Sequence, residues 1–295
     1  MPPIRLTIMD TSLASIKDQF IQFLDDKGRA VATVLAYGKD VDQLTQYLIK
    51  SGRKNINEVT EADLQAFLKT LQDNSYTQKS VSRKINSIKT LYRFLVGEGI
   101  LQQNVAANIK HPHIEHKEPR VLSKMEYRAL RDASREDERI SAIIELFLQT
   151  GVRIGELAQI RLEDVTSNEL VVRNARDKID RKVPVNLSSS DSLKRYMGVR
   201  PQSESERLFI TKTGRPLLVR NIRTAIDRYF KEAGIKECTV NDLRNTFIAH
   251  QLANNAPLEY VSAIVGHKRV STTEKYLDLV DLGDAKSKDP KLQEL

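Results

Sequence analysis

Between Thr77 and Gly97, the apolar residues Val81, Ile85, Ile88, Leu91, Tyr92 and Leu95 recur every three or four positions, with no proline or glycine inside the run. A stripe of that period lines one face of an α-helix and requires something to pack against. Three similar patterns precede it. Ile16, Phe20, Phe23 and Leu24 follow the capping residues Thr11 and Ser12; Leu35, Tyr37, Val41, Leu44 and Leu48 run from about Thr33 to Gly52; Leu64, Phe67, Leu68 and Leu71 follow Thr60. Four amphipathic helices in the first hundred residues bury these stripes against one another as a small helical domain.

The other face of the fourth helix is basic, with Lys79, Arg83, Lys84, Lys89 and Arg93 interleaved with Ser82 and Asn86. Such a face fits phosphate contacts with a few base-edge contacts in a DNA groove, and it equally fits an ordinary solvated surface. The whole chain carries a net charge of +8, which raises the expectation of a polyanionic partner.

Asn108 to Pro119, with Pro112 and charges between, reads as a linker, dividing the 295 residues into an N-terminal domain (1–108), a linker (109–119) and a C-terminal domain (120–295). His111, His113 and His116 fall in the linker without the spacing or the cysteine and carboxylate company of a metal site, so no metal is expected. The single cysteine, Cys238, excludes an internal disulfide and fits a reducing compartment. No apolar run approaches the ~20 residues of a membrane span and no signal-peptide pattern opens the chain, so a cytoplasmic protein is expected.

In the C-terminal part, Ser123 and Glu126 form a capping box ahead of a helix running to about Ala133. A second helix spans Arg139–Thr150 and closes at Gly151. Leu170-Val171-Val172 and Val183-Pro184-Val185 flank a polar turn as in a β-hairpin, Leu208-Phe209-Ile210 reads as a further short strand, and Asn221–Ala233 is helical. Near the end, an apolar helix from Leu258 stops at Gly266; His267 follows, and Ser271-Thr272-Thr273 can cap a short helix that carries Tyr276. Alone, that stretch also fits a plain glycine turn with Tyr276 half-buried and His267 solvated.

Upstream lie Thr150-Gly151-Val152-Arg153-Ile154-Gly155-Glu156-Leu157 and Thr239-Val240-Asn241-Asp242-Leu243-Arg244-Asn245. With Gly266-His267 and Tyr276, these stretches resemble the tyrosine site-specific recombinases: an Arg-x-x-Glu-Leu box, a hairpin lysine, a His-x-x-Arg box, and a Gly-His box ending in a nucleophilic tyrosine. The order matches over nearly the whole chain, and the chain is similar to the Xer-type and transposon-encoded members. The resemblance implies a mainly α (α+β) fold: a SAM-like four-helix core-binding domain, then a mostly helical catalytic domain with a small antiparallel sheet.

It also implies the chemistry. Tyr276 would attack a DNA phosphodiester, leaving a 3′-phosphotyrosine and a free 5′-hydroxyl, and strand exchange would pass through a Holliday junction. Bond energy is kept in the covalent link, so no ATP, metal or other cofactor is implied. Arg153 and Arg244 would neutralise the phosphate, since a guanidinium fork matches two non-bridging oxygens. Glu156 would orient an arginine, and His267 would hydrogen-bond the phosphate or help the tyrosine proton leave. Neighbouring arginines are expected to lower the phenol from its ordinary ~10. The hairpin turn lacks the family's Gly-Lys-Gly; Lys178 is the expected proton donor to the leaving oxygen, Arg176 the alternative, and Lys182 a third.

The clearest departure is Asn241 at the histidine position of the His-x-x-Arg box, because asparagine has no useful basicity. Asn245, where the family often has a second histidine, is a smaller one; His250 reads as a packed residue. The expected partners are double-stranded DNA and further copies of the chain, a dimer on one site and a tetramer in the synapse, with accessory proteins an open question. The tail from Leu277 to Leu295 is expected to dock on a neighbouring subunit. The helical pattern begins close to the first residue, so the family's separate arm-binding domain is not expected, which favours resolution of DNA dimers or cointegrates over integration by a phage or mobile element. A DNA-binding protein that kept the fold and lost the chemistry is the reading outside the enzyme class.

Overall fold

A computed structural model describes residues 10–115, 117–174 and 177–279. The chain forms two compact units that divide between His116 and Lys117.

The first unit holds four helices: α1 (Leu13–Asp26), α2 (Val31–Lys50), α3 (Glu61–Asp73) and α4 (Gln78–Gly97). Their apolar stripes meet in one core that includes Phe20, Leu44, Phe67, Ile88 and Tyr92, with Ala106 and Ile109 closing it. The caps of α3 and α4 are those the sequence calls for, whereas Ser12 at the N-cap of α1 makes no side-chain cap bond. Thr60 and Asp63 satisfy each other's backbone N–H groups at the start of α3, and the Thr77 hydroxyl accepts from the Ser80 N–H at the start of α4.

Lys84 departs from the expected basic face. Its ammonium is buried and donates to Asp40 Oδ1 at 2.8 Å and Gln43 Oε1 at 2.6 Å. Asp40, 1% exposed, also accepts from Arg83 and from the Ser87 hydroxyl. A carboxylate buried this deeply needs paired charge and several donors, and α4 supplies them from one side of the helix. Lys79, Arg83 and Arg93 are exposed, while Lys89 bends back to the Ala107 carbonyl at 3.1 Å. Ser82 bonds His111 Nδ1 at 2.9 Å.

The second unit contains α5 (Lys124–Ser134), α6 (Glu138–Thr150), α7 (Ile154–Leu157), the strands β1 (Glu169–Arg173) and β2 (Ile179–Pro184), α8 (Leu187–Val199), α9 (Val219–Glu232), α10 (Val240–Ala253), α11 (Leu258–Val265) and α12 (Ser271–Glu274). Helix α6 is its centre: Ala142 through Thr150 are buried, and α8 and α10 pack on it. The two strands pair antiparallel with Leu170 opposite Val183 and a bulge after Val172, and their inward residues Leu170, Val172 and Val183 join the core.

Three features differ from expectation. Helix α8, capped by Asn186 accepting from Ser189 N–H at 3.1 Å, was not foreseen; its serine-rich first turn masks the pattern, and of its apolar side chains only Leu193 and Tyr196 are buried. The strand expected at 208–210 is reduced to isolated bridges, Arg161 with Arg207 and Ile210 with Pro216. Residues Ser271 to Thr273 do not cap α12: Val270 occupies its N-cap with no side-chain bond, and Tyr276 lies just past the helix. The tail beyond Leu279, with its expected docking role, lies outside the described residues, as do Ala175, Arg176 and His116.

Candidate active site

Two helix ends in the left-handed conformation place the backbone of the site. Gly151 ends α6 at φ 59°, and a Cβ there would collide with the Phe247 ring. Gly266 ends α11 at φ 66°, and a Cβ there would come to 2.8 Å from Arg181 Nη1. Only glycine suits both positions, on conformation and on space.

Arg153 opens α7. Its own N–H donates to Glu156 Oε2 at 2.8 Å, Nη1 donates to Glu156 Oε1 at 2.7 Å, and Nη2 donates to the Gly266 carbonyl at 2.6 Å. The guanidinium is thereby fixed while its side chain remains 44% exposed. Arg244, one turn into α10, is buried and donates to the carbonyls of Gly151 and, at 2.7 Å, Val265. Burial and then the Arg153 charge bring its pKa down to about 10, so it stays a cation at neutral pH. The two expected arginines therefore both bind the turn that ends at Gly266.

A third arginine joins them. Arg181 of β2 has a side chain only 8% exposed, and it holds the Glu156 carboxylate by both Nη atoms at 3.0 and 2.8 Å. Burial pushes Glu156 up, but bonds from Arg181 and from Arg153 outweigh it and keep the carboxyl below the ordinary range. The sequence did carry a signal for Arg181: it sits two residues before the buried Val183, on the same face of the strand.

His267 follows Gly266 directly. Its N–H donates to the Ser262 carbonyl at 3.0 Å and its ring Nδ1 bonds the buried Thr273 hydroxyl at 2.8 Å, which leaves Nε2 for a ligand. Burial, followed by the charges of Arg244, Arg153 and Arg181, lowers its pKa to about 4, so the imidazole is neutral at neutral pH. Arg153, Arg181, Gly266, His267, Lys268 and Thr272 line a cleft of about 650 Å³.

Tyr276 is 8% exposed and its hydroxyl donates to Asn245 Oδ1 at 2.8 Å. Burial raises its pKa above the ordinary phenol value, more than the nearby Arg244 charge lowers it, and Asp242 adds to the rise. The expected lowering by arginines thus does not hold for this state. Asn241 is exposed in the first turn of α10, one turn ahead of Arg244. Lys178 is exposed where the hairpin turn enters β2, and Lys182 pairs across the strands with Glu169 at 2.9 Å. His250 is further along α10, half-buried against Asn254. Among the described residues no cluster of His, Cys, Asp or Glu could hold a metal, and no helix is long and apolar enough to cross a membrane.

Comparison with known proteins places the chain in a family. Residues 120–281 match the phage integrase family, and residues 18–99 match the phage integrase N-terminal SAM-like domain. The chain belongs to the phage integrase family. It is 30% identical over 281 residues to the tyrosine recombinase XerC of Roseiflexus castenholzii, covering 89% of this chain and 88% of that one. Its fold is similar to that of the XerA recombinase (TM-score 0.51, 25% identity, 92% and 94% of the two chains). It is also similar to lambda integrase, solved as a tetramer on a Holliday junction (TM-score 0.72, 18% identity, 92% and 82%). This phage integrase family member is a site-specific tyrosine recombinase, an enzyme that cleaves and rejoins DNA strands.

Proposed function

We propose that this recombinase cleaves DNA through Tyr276 and serves to resolve DNA dimers or cointegrates. The observation that carries the residue assignment is the convergence of Arg153, Arg244 and His267 on the single turn at Gly266, with Tyr276 beside Arg244. A phosphodiester gains negative charge in the five-coordinate transition state, and two fixed guanidinium groups, with an Nε2–H donor from the imidazole, meet that demand without a metal.

In the proposed reaction, the Tyr276 hydroxyl oxygen bonds to phosphorus and gives up its proton as the bond from phosphorus to the 5′-oxygen breaks. His267 or solvent takes the phenol proton, and the departing 5′-oxygen receives one from the hairpin, by Lys178 or by Arg176. A bound phosphate anion would offset the three guanidinium charges around His267 and so make the imidazole more basic. Reversal of these steps on a partner strand, through a Holliday junction, completes the exchange.

The chain is proposed to act on double-stranded DNA, as a dimer on one site and a tetramer in the synapse, inside the cell at the nucleoid. The lambda integrase tetramer on a Holliday junction supports that assembly by similarity of fold. Exposed Lys79, Arg83 and Arg93 of α4, with Lys89, are the proposed DNA contacts of the first unit.

The test is a supercoiled plasmid carrying two direct copies of the DNA that flanks the gene. Two smaller circles, formed without ATP and lost in Tyr276→Phe, support resolution. A bound but unchanged plasmid favours a DNA-binding protein without the chemistry, and capture of a second, unlinked molecule favours integration.

A further inference from the structure

Arg181 takes no part in the bond changes just described, yet its side chain makes four hydrogen bonds beside the cleft. Its Nε donates to the Ile264 carbonyl at 2.6 Å, its two Nη atoms clasp Glu156, and Nη1 also reaches Asp180 at 3.1 Å. The residue thus ties three elements together: the hairpin strand β2, the opening of α7 at Glu156, and the last turn of α11.

Two consequences follow from the geometry. Glu156 fixes Arg153 together with the Gly266 carbonyl, and a carboxylate held by both Nη atoms of Arg181 cannot rotate to take both Nη atoms of Arg153. The bond to Ile264 lies two residues before Gly266, whose carbonyl anchors Arg153 and whose next residue is His267. The close approach of Arg181 to Gly266 further restricts that turn.

We infer that Arg181 is a positioning residue for strand cleavage, locking Glu156 and the Gly266 turn together so that Arg153 and His267 face the cleft. The inference rests on the site assignment above. Arg181 also adds one of the positive charges around His267, with Arg153 from the start of α7, Arg244 from α10 and Lys268 beside it, against the carboxylates of Glu156 and Asp180.

Two variants test it, Arg181→Lys and Arg181→Met, each first checked for an unaltered melting transition. The first readout is the imidazole titration of His267 by NMR in the full chain without DNA. Arg181→Met moves its midpoint upward by about half a pH unit or more because a cation is lost, and Arg181→Lys moves it less. The second is single-turnover cleavage of a nicked DNA site, which falls at least tenfold in both variants while affinity for the site stays within threefold, because the ammonium lacks the fork that spans Glu156 and Ile264. An unmoved titration midpoint in Arg181→Met, or cleavage at the parent rate in Arg181→Lys, overturns the inference. Absence of cleavage by the parent chain counts against the site assignment instead, and the titration still decides whether Arg181 acts on His267.

Discussion

Tyr276 donates its phenolic hydrogen to the side-chain oxygen of Asn245 at 2.8 Å, and the Asn245 amide nitrogen donates in turn to Asp242 at 3.0 Å. The other oxygen of Asp242 accepts from the N–H and hydroxyl of Thr239, the cap of α10. A carboxylate only accepts, so the amide is oriented with its oxygen toward the phenol. An amide cannot take the proton it is offered. The phenol therefore remains neutral here, and in the proposed reaction its proton must pass from Asn245 to another acceptor.

A bond made only in the resting state adds to the barrier. Asn245→Ala is expected to form the covalent adduct about three- to tenfold faster at saturating DNA, the worth of one hydrogen bond, with site affinity unchanged. Single-turnover cleavage checks it; a slower reaction would mean that Asn245 places the tyrosine for attack.

Asn241 stands exposed one turn before Arg244, where a histidine side chain would meet no packed neighbour. Asn241→His is expected to raise the cleavage rate by roughly ten- to a hundredfold, within the usual reach of acid–base assistance. Comparison of cleavage rates across pH checks it, and equal rates would mean that the site does not use this position.

The helices of the first unit were legible because each buries one stripe, and two of them start at a residue that caps them, Thr60 and Thr77. The boxes around Arg153, Arg244 and His267 were legible by resemblance. What was not legible depends on long-range packing. Lys84 reads as surface until Asp40 is seen to arrive from α2, and the strand alternation that turns Arg181 inward does not say that Glu156 and Ile264 meet it. Thr273 reads as a cap and is instead the partner of His267. The raised pKa of Tyr276 depends on burial, which local charge counting omits.

The buried role of Lys84 separates it from Lys79. Lys84→Ala leaves Asp40 short of a cation and is expected to cost about 3 kcal/mol of stability. Lys79→Ala should leave stability unchanged, weaken DNA binding and reduce its logarithmic salt slope by about one. Denaturant melts and salt-dependent binding curves distinguish the two.

Gly151 and Gly234 both have positive φ, yet only Gly151 is crowded, by Phe247 and Val265. Gly234→Ala is expected to cost about 1 kcal/mol for the left-handed conformation alone. Gly151→Ala adds a steric clash worth a further 1–3 kcal/mol, roughly, and displaces the carbonyl that holds Arg244, so thermal stability and cleavage fall together.

His267 titrates at about 4 in the folded site and at ~6.5 when unfolded. Between those values the unfolded chain binds the extra proton, so its contribution favours unfolding as pH falls from 6.5 toward 4. The parent is expected to lose melting temperature on acidification more steeply than His267→Gln over that window; parallel curves would contradict the depressed pKa.

Tyr276 is the group proposed to become joined to DNA. A nicked site is incubated with the full chain, denatured, and digested with protease, and the peptide that retains DNA is sequenced by mass spectrometry. The expected result is a phosphotyrosyl link at Tyr276 and no DNA-bearing peptide from Tyr276→Phe. DNA joined at another residue, or a site that is bound tightly and never joined at all, would contradict it.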